Sequence, residues 1–252
     1  MVSLQTSIAR RCAPWFPGIR DTALLSVLQG YAGSVQADDP ENIRLIVARC
    51  GNFFYFGGDP AHPQAASCIR AAEAGSCLVS LEPAWRARFY EVLGPRAEGR
   101  TRYRVKGEMA ALDRAHLRAL CALPEGFSLA CAEEADVQAL REMEWSAHFV
   151  EQFASARDLV EQGFAQIVRR GADIACVGCT FTVYDEGMEL GIATHPAYRG
   201  LGLATAAAAR AALEALDRGW KLNWDAANPI SLRLACKIGF EPDGEYEAVL
   251  VK

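Results

Sequence analysis

The sequence predicts a two-part protein of the α/β class, and three observations carry that prediction. Strand-like and helix-like segments alternate along residues 127–251, the pattern of a mixed α/β (α+β) sheet flanked by helices. The break Leu123-Pro-Glu-Gly126 separates this series from an earlier one of shorter elements. A glycine-rich loop with Gly200 and Gly202 joins one strand of the later series to an alanine-rich helix. A smaller N-terminal α/β domain is therefore expected over residues 1–124, and a second domain over 125–252.

In the first half, an amphipathic helix is expected over Thr22–Gln29, closed by Gly30. Ile43–Arg49 and Phe53–Phe56 flank Cys50-Gly-Asn52, a hairpin signal. His62–Gly75 is helical in character, Cys77–Leu81 reads as a short strand, and Glu82–Val92 as a helix stopped by Gly94-Pro95. The basic run Arg96–Lys106 reads as an edge strand, its arginines forming a solvated face rather than a phosphate site. Asp113–Ala122 is a further helix. The second half reads as strand Phe127–Cys131, helices Glu133–Met143 and Ser155–Gln162, then strands Phe164–Arg169, Asp173–Thr182 and Met188–Ala193. Helix Leu203–Arg218 ends at Gly219, a favoured helix-terminating residue. Strand Trp220–Trp224 follows. Asn228-Pro229 then opens a helix to Ile238 with an N-cap followed by proline, and strand Gly244–Val251 closes the chain. Residues 43–106 and 164–251 share an element order, a hint that the halves share a fold.

Composition bounds the function. Of 252 residues, 51% are hydrophobic and 23% charged, which suits a folded chain, and no apolar run is long enough to span a bilayer. Met1–Gly18 lacks the apolar segment of a secretory leader. Nine cysteines without regular spacing suit a reducing cytoplasm, so a cytoplasmic location is expected. Residues 1–124 carry 15 Lys/Arg against 11 Asp/Glu, and the rest carries 11 against 20. The acidic second half argues against nucleic acid and favours a cationic acceptor such as an amine.

The stretch Glu189–Ala204 then decides the chemistry. Helix N-termini carry unpaired N–H groups and partial positive charge, and glycines let an anion approach them closely. A structural turn without ligand is one reading. A dinucleotide fingerprint is another, with Asp225 as ribose ligand, but Thr205 stands where its third glycine belongs. The Gly-Lys-Ser/Thr of a nucleoside-triphosphate loop is absent. Arg199-x-x-Gly202-x-Ala204 resembles the pyrophosphate-binding signature of the GNAT superfamily of acyl-CoA-dependent N-acyltransferases. Gly191-Ile-Ala-Thr194 resembles that family's fourth strand. Asn228-Pro-Ile-Ser231 with Lys237-Ile-Gly-Phe240 resembles its second conserved block. Trp224-Asp-Ala-Ala-Asn228 and the long first half resemble a bacterial subfamily of two-part GNAT acetyltransferases.

The resemblance implies a GNAT fold for the second domain, with the first domain a degenerate GNAT-like half. It implies acetyl-CoA as co-substrate, no metal, and direct transfer of the acetyl group to a primary amine in a ternary complex. Backbone of Ile192, Ala193 and Thr194 would bond the pantetheine arm. The N–H groups of Arg199, Gly200, Leu201, Gly202, Leu203, Ala204 and Thr205 would hold the pyrophosphate, with Asn228 and Ser231 on the cofactor's other side. The expected partners are acetyl-CoA and an amine-bearing acceptor, with no nucleic acid or membrane, in a monomer or homodimer.

Acyl transfer needs a base to neutralise the amine and gains from an acid at the thiolate. Glu189, sharing a strand face with Gly191 and Ala193, is the candidate base; an edge-strand surface carboxylate is the alternative reading. The superfamily's usual tyrosine, two residues before the lysine, is replaced here by Ala235. Tyr246, Ser231 or solvent would have to supply the proton, and Tyr246 is taken as the candidate catalytic partner. Ala235 also motivates a rival, a non-catalytic acyl-CoA-binding or regulatory module. Cys176 and Cys179 sit three apart in a predicted strand, hence on opposite faces as core residues rather than a metal or redox pair. His195 precedes Pro196, which points to loop geometry rather than catalysis. Trp145 and Trp224 read as core or cleft wall.

Overall fold

The computed structural model describes residues 1–106 and 112–252. The chain forms two compact units, one of Met1–Arg102 with Glu245–Lys252 and one of Tyr103–Gly244. The Leu123–Gly126 break lies within the second unit, between a helix and a strand.

In the first unit the strands are β1 (Val2–Ser3), β2 (Ser34–Ala37), β3 (Leu45–Cys50), β4 (Phe53–Gly58), β5 (Cys77–Val79) and β6 (Ala97–Lys106), the last running on into the second unit. Its helices are α1 (Thr6–Ala9), α2 (Thr22–Gln29), α3 (Ala65–Arg70) and α4 (Pro83–Leu93). The expected hairpin is present: Cys50 pairs with Phe53 across Gly51-Asn52. Helix α3 is shorter than His62–Gly75 because the chain turns away after Arg70 and Gly75 donates to Val251 O at 2.8 Å. Strands β4 and β5 are parallel and joined through α3, and β5 pairs antiparallel with the C-terminal residues Val249–Leu250. Phe56, Trp85 and Phe89 form the aromatic centre of this core, with the Trp85 indole donating to Gly58 O at 3.0 Å.

The second unit comprises α5 (Arg114–Leu120), β7 (Phe127–Cys131), α6 (Glu134–Glu142), α7 (Ala147–Val150), α8 (Ala156–Gln162), β8 (Ala165–Arg170), β9 (Asp173–Tyr184) and β10 (Gly187–Thr194). It continues with α9 (Leu203–Asp217), β11 (Lys221–Asn223), β12 (Asp225–Ala226) and α10 (Pro229–Ile238), and the start of β13 (Glu241–Val251). Helix α6 opens with a reciprocal cap between Glu133 and Asp136, and α8 with Ser155 accepting from Asp158 N–H. The short α7 is not evident from the sequence pattern. The sheet order is β11-β10-β9-β8-β7, antiparallel except for the parallel pair β10–β11 joined through α9. Both units therefore repeat one plan: a hairpin, a helical crossover to a parallel strand, then another helix.

The basic run is not an edge strand. At its end, Tyr103 and Arg104 pair with Ala226 and Asp225 of β12, because a strand leaving β11 supplies a partner that local pattern cannot reveal.

Helices α5, α9 and α10 cover one face of the second sheet, and α6, α7 and α8 the other. On the first face, Met188 and Leu190 pack against Ala208, Ala211 and Ala212 of α9. On the second, Val137, Leu140 and Leu159 meet Ile167, Val177 and Cys179. Alanines let α9 lie close to the strands. A Cβ on Gly178 of β9 would stand 3.0 Å from Ala207 O and from Ile192 Cδ1. Gly178→Val should therefore lift α9 from the sheet and cost ~1–3 kcal/mol. A urea midpoint equal to that of the unsubstituted protein would show that the contact is not tight.

Candidate active site

The parallel pairing of β10 with β11 is brief. Gly187, Met188 and Glu189 pair with Lys221, Leu222 and Asn223, and there it ends. One step further on, the antiparallel pairing of β10 with β9 skips Phe181 between Glu189 and Leu190. Such a bulge bends a strand and increases its twist. The chain beyond β11 turns off to pair with Tyr103–Arg104 instead. Among the described residues, no strand flanks Leu190–Thr194 on that side, so this edge is open to an extended ligand.

The divergence has a pin. Glu189, only 6% exposed, accepts the Asp225 N–H at Oε1 over 2.6 Å. Next to it the Asn223 amide donates to Tyr184 Oη at 2.6 Å. Trp224, between β11 and β12, is buried, its indole donating to Ser231 Oγ at 3.0 Å and its ring edge meeting Phe240. The departing strand is thus tied to β10 by a carboxylate and to α10 by an indole.

At the far end of β10 the chain enters a tight loop. His195 Nδ1 accepts the Ala197 N–H at 3.2 Å, and Tyr198 N–H and Arg199 N–H turn back onto His195 O and Pro196 O. Gly200 and Gly202 have φ of +80° and +79°, a left-handed conformation that disfavours a side chain. Helix α9 then begins, with Thr205 and Ala206 donating to Gly202 O. Among the described residues, the N–H groups of Gly200, Leu201, Gly202, Leu203 and Ala204 have no protein acceptor. Those of Arg199 and Thr205 are engaged within the loop and helix. Five adjacent free donors at a helix N-terminus, beside an open strand edge, suit a diphosphate with an extended amide-bearing arm.

The family model for GNAT acetyltransferase matches residues 13–249. The chain belongs to the GNAT acetyltransferase family. The match takes in both units, whereas the sequence motifs lie in the second half alone. A search of curated proteins finds no match. Among solved structures, a GCN5-related N-acetyltransferase-like protein from Streptococcus suis is 29% identical, with a TM-score of 0.90 over 98% of this chain and 99% of that one. A GCN5-related N-acetyltransferase from Kribbella flavida is 17% identical, with a TM-score of 0.56 over 87% of each chain. A tandem GNAT protein from the clavulanic acid biosynthesis pathway is 12% identical, with a TM-score of 0.55 over 99% of this chain and 96% of that one. The last two likenesses concern the fold.

In this GNAT acetyltransferase, Ile192, Ala193 and Thr194 lie on the open edge, and Arg199 to Thr205 form the loop and first turn. Asn228 caps α10, its Oδ1 accepting from Ile230 and Ser231 N–H at 3.0 and 2.9 Å. Ser231 is the acceptor for Trp224. Ala235 is fully buried in the core, so its position offers no proton. Tyr246 falls on the part of β13 that belongs to the first unit, near Tyr55, and is not brought together with Glu189 within one unit.

A hydroxyl that sequence reasoning missed is Tyr184, at the end of β9. Burial first, then the fields of Glu186 and Glu189, push its hydroxyl above the usual phenol range, against the opposing Asn223 hydrogen bond and Lys221 charge. It therefore stays protonated at neutral pH. The signal available was its place at the turn into β10, which sets it opposite Gly187.

Cys176 and Cys179 do point to opposite faces, Cys176 packing with Leu203 and Ala207, Cys179 with Leu159 and Val183. Burial pushes both thiols up to about 12. Native protein at pH 8 should leave both unalkylated by iodoacetamide while exposed Cys131 and Cys236 react; peptide mass mapping that finds either buried thiol labelled would contradict this.

Glu189 offers a cleaner test of the pin. Glu189→Gln keeps an oxygen for the Asp225 N–H, whereas Glu189→Ala leaves that buried donor unmet. The alanine variant should lose ~1–3 kcal/mol of stability and the glutamine variant much less. Equal denaturation midpoints for the two would remove the pin.

Proposed function

We propose that the protein transfers the acetyl group of acetyl-CoA to a primary amine, by direct attack in a ternary complex. The observation that carries this reading is the run of five free N–H donors at Gly200–Ala204 beside the open edge Leu190–Thr194. The donors would hold the CoA pyrophosphate, and the backbone of Ile192–Thr194 the pantetheine arm. Asn228 and Ser231 would stand on the cofactor's other side, Asn228 through its amide nitrogen and Ser231 through the buried wall it forms with Trp224.

Acetyl-CoA supplies an activated thioester. The acceptor ammonium gives up a proton to Glu189, directly or through water. Thr182, the cross-strand partner of Glu189, is 1% exposed, and its hydroxyl has no partner among the described residues, which suits such a water. The amine nitrogen then bonds the acetyl carbon and releases its second proton to solvent, the carbon–sulfur bond breaks, and the thiolate takes a proton. Tyr184, protonated and within the field of Glu189, is our first choice as donor, and Tyr246, the choice from sequence, is the second. With neither in reach, solvent supplies the proton more slowly.

Ala235 favours a second reading, an acyl-CoA-binding module without turnover. Acetyl-CoA consumption measured across a panel of small amines, amino acids and peptides separates the two. We expect amine-dependent release of free thiol; CoA binding with no release for any amine would select the module. In the active enzyme, Glu189→Gln should lower kcat by ~10²–10⁴-fold and remove the acid limb of the pH profile, with CoA affinity retained. Replacing Gly202 with valine, which resists a positive φ, should abolish CoA binding by calorimetry. Undiminished affinity would end the pyrophosphate assignment.

A further inference from the structure

A cavity of about 530 Å³ opens in the second unit, on the face carried by α6. Its walls come from α6, the segment Met143–Trp145, the β8–β9 turn, and the loop residues His195 and Tyr198. It shares the loop residues His195 and Tyr198 with the cradle but opens on the sheet face opposite α9, far from Glu189. His195 lies six residues beyond Glu189 on an extended strand, roughly 20 Å away at ~3.3 Å per residue.

The lining has a definite chemistry. Trp145 and His195 meet edge to face at 5.7 Å between ring centres, and His195 and Tyr198 stand 5.5 Å apart. Three aromatic rings therefore bound one side. Against them stand carboxylates. Glu144 has no hydrogen-bond or ion-pair partner among the described residues, and Asp173 accepts only from the neutral Tyr198 hydroxyl, at 3.0 Å. The cation in the wall, Arg169, is neutralised by its pair with Asp136. Within the lining the carboxylates Asp136, Glu144 and Asp173 outnumber the single cation Arg169, beside three aromatic rings, and the volume is that of a small-molecule site.

We propose that this cavity binds a small organic ammonium ion, separately from the acetyl transfer site. An ammonium gains from the negative faces of aromatic rings and from the carboxylates together. A bare divalent metal would need several converging oxygen or nitrogen ligands, and no such group of three occurs among the described residues. A phosphate-bearing ligand, such as the nucleotide end of CoA, would meet Glu144 and Asp173 as like charges. The inference does not depend on the acetyltransferase reaction.

The test is calorimetry on the full chain with choline, which has no amine to acetylate, and with its neutral carbon isostere 3,3-dimethyl-1-butanol. Choline should bind and the isostere should not. Glu144→Gln and Trp145→Leu should each weaken choline about tenfold. Glu142→Gln, on α6 where Glu142 bonds Gln138, should leave binding unchanged. Glu144 is exposed, so its variant should keep the parent melting temperature; if Trp145→Leu unfolds, Asp173→Asn replaces it with the same expected loss. Equal binding of the isostere, no choline binding at millimolar concentration, or unchanged affinity in the variants would overturn the proposal. So would one-for-one displacement of choline by CoA, which would assign the cavity to the nucleotide.

Discussion

One carboxylate–backbone hydrogen bond governs the geometry of the second unit. Glu189 holds the Asp225 N–H at the point where β11 ceases to run beside β10. A buried carboxylate is costly unless its oxygens are satisfied, so its strength depends on the departing strand being where it is. The departing strand is held in turn by Trp224 on Ser231 and by its pairing with Tyr103–Arg104. The opening between the strands is therefore a fixed feature of the fold. Backbone groups that a continuous sheet would consume stay available along Leu190–Thr194.

The second requirement is a helix that starts where that open edge ends. Two left-handed glycines turn the chain, and an alanine-rich α9 lies so close to the sheet that Gly178 faces its backbone. The free helix-start donors and the open strand edge thereby lie within residues 190–204, fifteen positions of sequence. The first unit repeats the strand–helix–parallel strand plan without this arrangement. Its crossover helix α3 has six residues and follows Asp59-Pro-Ala-His-Pro63 rather than a glycine loop. The same topology frames the candidate site in one unit and a packed core in the other.

Much of the fold was legible. Gly51-Asn52, Asp113, Ser155, Asn228-Pro229 and Gly239 set turns and helix ends through local backbone chemistry, and the structure has elements bounded by each. Opposite-facing Cys176 and Cys179 followed from strand periodicity. Less was legible where a residue's partner is distant in sequence. The bulge at Phe181, the capture of β12 by β6 and the return of β13 to β5 are long-range pairings without a local signature. The role of Ser231 as acceptor for an indole belongs to the same class.

The sequence by itself determined the family, the glycine loop and most of the longer strands and helices, because each rests on residues adjacent along the chain. Tertiary structure alone decided which cradle donors stay free and what Glu189 touches. It also brought Glu144, Trp145, Asp173, His195 and Tyr198 around one cavity. Those depend on where separate segments meet, and no periodicity or spacing encodes a meeting between residues fifty positions apart.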